Sequence, residues 1–294
     1  MRYQISHTTQ YHYQQPVKLG PHTVRLRPRS DGSQHLQQFA IAISPEPNER
    51  SEILDMEGNV CLQLRLPDVE IADLRIHTEA TVETYRDNPF NYLSEPWAFT
   101  APMDYPRAIA THLTPYLQPA LAATFNPSVV ALAQTLLHEV QGHVGFFLSR
   151  LTQTIYEDFQ YGHRPEGNSQ PAGVTLRQKS GSCRDFAVLF MEACQAVGLA
   201  ARFVSGYQEG DAEQDSRELH AWPEVYIPGG GWRGFDPTHG LAVSDRHIAI
   251  AAAAHPQNAA PVSGPLQPGY FAQSTLEYEI RIERSAITGG QLQE

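Results

Sequence analysis

Lys179-Ser180-Gly181-Ser182-Cys183-Arg184-Asp185-Phe186-Ala187 is the stretch on which the reading of this chain turns. Beyond Ser182, the apolar residues Phe186, Leu189, Phe190, Ala193, Cys194 and Val197 recur at helical spacing, and Gly198 closes the run. Cys183 thus falls in the first turn of a predicted helix, behind small residues that leave its sulfur accessible. The N-terminal end of a helix favours negative charge, which is the condition a reactive thiolate needs. A neighbouring base would complete the activation.

Two downstream segments supply the complement. His220-Ala221-Trp222-Pro223-Glu224-Val225-Tyr226-Ile227 reads as a strand, and Asp236 lies in Gly231-Trp232-Arg233-Gly234-Phe235-Asp236-Pro237-Thr238. Gly229-Gly230-Gly231 between them reads as a hairpin turn, since the Lys-Ser/Thr of a phosphate loop does not follow it. Adjacent strands lie ~4.8 Å apart, so an acid on one can orient an imidazole on the other. Cys183 as nucleophile, His220 as base and Asp236 as orienting acid would need no cofactor.

Upstream of this block, Asn126-Pro127-Ser128 caps a helix carrying Val129, Val130, Leu132, Ala133, Leu136, Leu137 and Val140, with Gly142 after it. A second helix is predicted over 144–156, and 160–181 reads as a loop rich in Gly, Pro, Ser and Gln. Residues 1–85 instead alternate with the period of strands: Tyr3 and Ile5, Tyr11 and Tyr13, Val24 and Leu26, then Phe39, Ile41 and Ile43. Asp31-Gly32 and Glu57-Gly58-Asn59 mark turns. The pattern divides the chain into a β-rich domain at 1–88, a proline-marked linker at 89–125, and an α+β core at 126–294 that ends in a strand over 276–282.

The 294 residues are 41% hydrophobic and 10% aromatic, enough for a packed core. Thirty-two acidic against 21 basic residues give a net charge of −11, which argues against nucleic acid and against an anionic membrane surface. Three cysteines form no disulfide framework and no CxxC zinc pattern. The beginning Met-Arg-Tyr-Gln-Ile-Ser-His-Thr lacks a secretory apolar run, and no stretch approaches the ~20 apolar residues of a membrane span, so a cytoplasmic location is expected.

Four ordered blocks now carry a resemblance: Gly181 to Ala187, Leu199-Ala200-Ala201-Arg202-Phe203-Val204-Ser205-Gly206-Tyr207, His220 to Val225, and Gly231 to Thr238. Together they resemble the transglutaminase-like superfamily, specifically its bacterial members with a β-rich domain before a papain-like core. Tyr3-Gln4-Ile5-Ser6-His7-Thr8-Thr9, Arg25-Leu26-Arg27-Pro28 and Asp55-Met56-Glu57-Gly58-Asn59 resemble that first domain, so the likeness runs over nearly the whole chain. The resemblance implies an N-terminal β-sandwich followed by a papain-like transglutaminase core, with Cys183, His220 and Asp236 matching the catalytic residues. It also implies attack of a thiolate on an amide or ester carbonyl through an acyl-enzyme, with the Cys183 N–H as one oxyanion donor and a second from the 156–161 stretch. Related members commonly carry Gly-Arg-Asp-Tyr after the Asp-Pro-Thr block. Here Ala253-Ala254-His255-Pro256 stands in its place, which bears on substrate preference.

Blander roles fit the other conspicuous residues. Cys194 on an apolar helical face and Cys61 in a strand read as core residues. Trp222 and Trp232 read as walls of the cleft or core, and Asp185 and Glu224 as ion-pair partners of Arg184 and Arg202. His138-Glu139 with His143 is one residue too long for a helical zinc motif, so no metal is expected. The expected activity is peptide or isopeptide hydrolysis on a peptide or protein substrate, ahead of glutamine γ-glutamyl transfer. A silent binding protein on the same scaffold is the rival.

Overall fold

The computed structural model describes residues 1–164, 167–210 and 217–285. Strands β1 (Arg2–Val17), β2 (His22–Val24), β3 (Gln34–Ser44), β4 (Glu49–Leu54), β5 (Val60–Arg65) and β6 (Ile71–Thr84) come first. Helices α1 (Arg107–Leu113), α2 (Pro127–Glu139) and α3 (Val144–Asp158) follow, then β7 (Gln160–Tyr161), α4 (Ala172–Gln178), β8 (Ser180–Gly181) and α5 (Cys183–Ala196). The chain continues with β9 (Ala201–Gln208), β10 (His220–Ile227), β11 (Gly231–Asp236), β12 (Leu241–Ala242), β13 (His247–Ala253), β14 (Val262–Ser263) and β15 (Ser274–Ser285).

Period-2 alternation builds the first unit. Along β6, Leu74, Ile76, Thr78, Ala80, Val82 and Thr84 face inward and are buried. Their sheet has the order β15-β1-β6-β3, and a second has the order β14-β2-β5-β4. Both are antiparallel, and Tyr3, Ile5, Val24, Leu64 and Ile76 share one core between them. The fold is α+β: this β-rich unit adjoins an antiparallel sheet of order β12-β11-β10-β9-β13, against which α5 packs.

α5 is buried on nearly every side, from Cys183 through Gln195, because the sheet covers one flank while α2, α3 and α4 cover others. It is the central helix of the core. The caps follow the local chemistry: Asn126 accepts from the Ser128 N–H at the start of α2, and His143 accepts from the Phe146 N–H at the start of α3. His143 is therefore a capping residue.

Three expectations change. The 89–125 segment, expected as a linker with little regular structure, contains α1 and sends Ala98, Met103, Tyr105 and Leu113 into the core. The loop at 160–181 contains α4, whose short apolar pattern is too brief to read as periodic. The division at 126 also fails for the end of the chain. β14 pairs with β2 and β15 with β1, so the last strands return to the first unit rather than closing the core.

The two units are joined along β13, the edge strand of the core sheet. An edge strand leaves unpaired N–H and C=O groups, and burying them without partners is costly. Side-chain amides of the first unit take the place of the missing strand. Gln34 donates to the Ala249 carbonyl at 2.9 Å and accepts from the Ala249 N–H at 2.8 Å. Asn59 does the same at Ala252, at 2.9 Å in both directions, and Glu57 accepts from the Ala254 N–H. This explains why the Asp55-Met56-Glu57-Gly58-Asn59 turn has its composition: Asp55 in turn accepts from Asn59 and from the turn's backbone. Among the described residues, no helix is long and apolar enough to cross a membrane.

Asn59→Leu strands two buried backbone groups at Ala252, so it is expected to lower unfolding stability by about 2–4 kcal/mol. Met56→Ala in the same turn, fully exposed, should change it by no more than about 0.5 kcal/mol. Urea denaturation of both variants measures the contrast, and equal losses would refute the capping role.

Candidate functional site

Ser182 and Asp185 set the start of α5. One Asp185 carboxylate oxygen accepts from the Ser182 N–H and hydroxyl, each at 2.9 Å, while the other accepts from Arg164 at 2.6 Å and the Gln170 N–H at 2.8 Å. Asp185 thus pairs with Arg164, not with the adjacent Arg184, whose guanidinium donates to the Arg164 carbonyl. Burial would raise the Asp185 carboxyl, but these donors hold it below its ordinary value. Gly181 is required here because a Cβ at that position would lie 2.8 Å from the Asp185 Cβ.

Cys183 follows as the first residue of α5, 8% exposed. The helix leads its thiol to the cleft that His220, at the head of β10, also lines, close enough for Cys183 to contribute to the raised His220 value. His220 Nε2 lies 2.8 Å from Asp236 Oδ2 at the end of β11, leaving Nδ1 for the sulfur. Sixteen residues apart in sequence, His220 and Asp236 meet because β10 and β11 pair as a hairpin. The three predicted residues therefore come together, His220 and Asp236 by a hydrogen bond and Cys183 beside His220 in the same cleft.

Asp236 has no exposed surface and is held by more than one imidazole. His239 Nδ1 at 2.8 Å and His247 Nε2 at 3.0 Å share the same Oδ2, and Oδ1 accepts from the Thr238 and His239 N–H groups. Burial favours the neutral acid, yet the His220 charge and the bonds from all three histidines hold the carboxyl well below its usual range. Burial also pushes His247 down, so it is a neutral donor. For His220, burial works downward too, but the Asp236 charge and hydrogen bond, with Cys183, raise it to about 10.

Trp222, 1% exposed, lies edge-on to His247 with ring centroids 5.2 Å apart and screens this buried charge cluster from water. Its ring lies on Gly206, where a Cβ would meet it at 2.5 Å. Trp232 packs instead against Tyr116 and Tyr226, under the Arg202 guanidinium that pairs with Glu224. Neither tryptophan lines the cleft: Trp222 is buried in the core, and Trp232 is half-buried against it. The ligand-type atoms of His220, Asp236 and His247 lie within 4.8 Å of one another. His220 Nε2 and His247 Nε2 both donate to the carboxylate oxygen, while His247 Nδ1 is buried without a hydrogen-bond partner.

A cleft of about 430 Å³ opens over Cys183 and His220. Tyr161 lines it, held beside Cys183 because β7 pairs with β8 immediately before α5. Burial and the neighbouring Cys183 push the Tyr161 phenol up, so it keeps its proton. Of the 156–161 stretch, then, Tyr161 is the residue delivered to the site. The departing Ala253-Ala254-His255-Pro256 segment also bears on the cleft. His255 accepts from the Gln257 N–H to cap a short 3₁₀ turn, and Pro256 and Gln257 form part of the wall.

Sequence reasoning missed His239 and His247. His239 carried a weak signal, three residues past Asp236 in a Pro-Thr turn. His247 carried none, because β13 reaches the site from the far edge of the sheet.

Residues 3–83 match the model of a bacterial transglutaminase-like N-terminal region, and 131–237 match that of the transglutaminase-like superfamily. An uncharacterised protein of Mycobacterium tuberculosis is 30% identical over 268 residues, covering 85% of this chain and 82% of its own. A protein-glutamine γ-glutamyltransferase of Pseudomonas aeruginosa is 29% identical over 126 residues, 40% of this chain but only 19% of that larger protein. In fold, the chain matches the crystal structure of a candidate cysteine protease from Cytophaga hutchinsonii with a TM-score of 0.73 and 22% identity, covering 100% of this chain and 94% of that one.

The raised His220 value has a definite sign. Its proton contributes stability fully below the unfolded-state value of about 6.5, and that contribution is lost as pH rises toward about 10. Imidazole NMR is expected to show His220 protonated at pH 8. In Asp236→Asn, with burial no longer opposed by the carboxylate, its pKa should drop below about 6.5. An unchanged titration in that variant would contradict the assignment.

Proposed function

Because the chain belongs to the transglutaminase-like superfamily, we propose that it is a thiol acyl-transfer enzyme with Cys183 as nucleophile, His220 as general base and acid, and Asp236 as the orienting carboxylate. The observation that carries this reading is Cys183 and His220 sharing one cleft, with His220 hydrogen-bonded to the buried Asp236.

The chemistry follows from that arrangement. His220 takes the thiol proton at Nδ1, and the imidazolium is stabilised by Asp236 across Nε2. The sulfur attacks the carbonyl carbon of an amide, forming the C–S bond and placing negative charge on oxygen. The Cys183 N–H has no acceptor within its own helix at this first position, and it faces that charge together with the protonated Tyr161 phenol. Collapse breaks the C–N bond as His220 delivers its proton to the departing amine. In the second half, His220 takes a proton from the acceptor, which attacks the thioester, and the C–S bond breaks with return of a proton to sulfur.

Water as acceptor gives hydrolysis of a peptide or isopeptide bond, our first reading. An amine as acceptor gives transfer of a glutamine γ-glutamyl group. The similarity over 126 residues to the Pseudomonas aeruginosa γ-glutamyltransferase favours that second reading. The triad serves both, since the acceptor is chosen by what reaches the thioester.

Site-resolved mass spectrometry after iodoacetamide treatment from pH 5 to 9 tests the nucleophile. Cys61 and Cys194 are internal controls. Burial and the nearby Asp55 raise the Cys61 thiol to about 11, and burial raises Cys194 well above its ordinary value. Cys183 is expected to label fastest at pH 6, and His220→Ala to slow that rate by about 10–100-fold. Slow, similar labelling of all three cysteines would sink the proposal.

A further inference from the structure

One part of the cleft wall is not made by the catalytic core. It comes from β1 and β15, the first and last strands of the described chain, which pair with Thr9 opposite Tyr278 and Tyr11 opposite Leu276. Side chains on a strand point to one face at every second residue. The face that carries Ile5 and Ile280 into the sandwich core therefore continues outward as Thr9, Tyr11, Leu276 and Tyr278, now lining the cleft. A single two-stranded ribbon serves as core at one end and as site wall at the other.

We propose that this ribbon is the specificity element of the enzyme, and that it selects an acyl donor carrying an aliphatic or aromatic side chain beside the scissile carbonyl. The proposal rests on the acyl-transfer reading and names its substrate class. Phe203 and Leu219 from the core and Val262 from β14 also line the cleft, so the surface the donor meets is mostly hydrocarbon and aromatic ring. The charged groups of the lining are already engaged, Arg164 with Asp185, Arg184 with the Arg164 carbonyl and Glu218 with His163, so a charged donor side chain would lose its hydration and have to displace an existing partner. An acidic one would in addition meet the charge of Glu218, which lines the same cleft two residues before His220. The volume of about 430 Å³ lies within the ~300–1,000 Å³ range of small-molecule sites and admits a side chain with its flanking peptide.

This assignment gives the C-terminal strand a functional reason to return to the first unit. The N-terminal unit is then part of the enzyme's site and not an appendage to it.

The test uses the full chain and four peptidyl chloromethyl ketones that differ only in the side chain next to the reactive carbon: Phe, Leu, Asp or Lys. Each rate of Cys183 alkylation is divided by the iodoacetamide rate in the same protein, which removes differences in thiol reactivity. The wild type is expected to favour the Phe and Leu reagents over Asp and Lys by about 10–100-fold. Leu276→Asp should reduce the Phe and Leu ratios by at least about tenfold and narrow the gap to Lys. Equal wild-type ratios for all four reagents would overturn the specificity proposal, and that measurement needs no variant to fold. A ranking unaltered in Leu276→Asp would remove the ribbon from it. Failure of iodoacetamide to reach Cys183 at all would instead strike the acyl-transfer reading, and this proposal with it.

Discussion

A carboxylate with no exposed surface organises this protein. An isolated buried charge costs several kcal/mol, so Asp236 can remain ionised only if its lone pairs are occupied by donors. Here the donors are three imidazoles and two backbone N–H groups, drawn from β10, from the turn after β11 and from β13. Satisfying that one side chain fixes the spacing of the sheet at the site and the orientation of the His220 ring. His220 Nδ1 is then left free of the carboxylate, in a ring that lines the cleft together with Cys183 at the start of α5. The raised His220 value is the electrostatic counterpart of the same arrangement.

Bringing His247 to Asp236 places β13 at the edge of the core sheet, where its outer backbone groups need partners. The first unit meets that need with Gln34 and Asn59, whose amides each carry a donor and an acceptor and so imitate a neighbouring strand. The junction is consequently polar and directional rather than a greasy contact that could slide. It sets the first unit at a definite angle, and with it the β1–β15 ribbon over Cys183. The chain from Asp236 to the cleft wall is thus a series of hydrogen-bonding obligations, each met by the next element.

Much of this was legible from the residues. The apolar run behind Cys183, closed by Gly198, specifies a helix by local rules alone, and the glycine turn between β10 and β11 specifies a hairpin. Those two facts bring His220 to Asp236. The partner of Asp185 was misread because adjacency in sequence suggested Arg184, whereas Arg164 reaches it across a loop. α1 and α4 were missed because seven residues give too few turns for a helical period to emerge from proline- and glycine-rich surroundings.

By itself, the sequence determined the elements whose signals are short-range: the alternation of β1 and β6, the cap of α2, the apolar run of α5, and the helix-then-hairpin order that lines up Cys183, His220 and Asp236. Only the tertiary structure decided where the edges went. That β15 pairs with β1, that His247 arrives at Asp236 from β13, and that Asn59 completes Ala252 are contacts between residues 193 positions apart in the last case and 11 in the second. The physical reason is that an unpaired edge or a buried charge states a need for a partner without naming it. Local propensity encodes that need, and only the packed chain answers it.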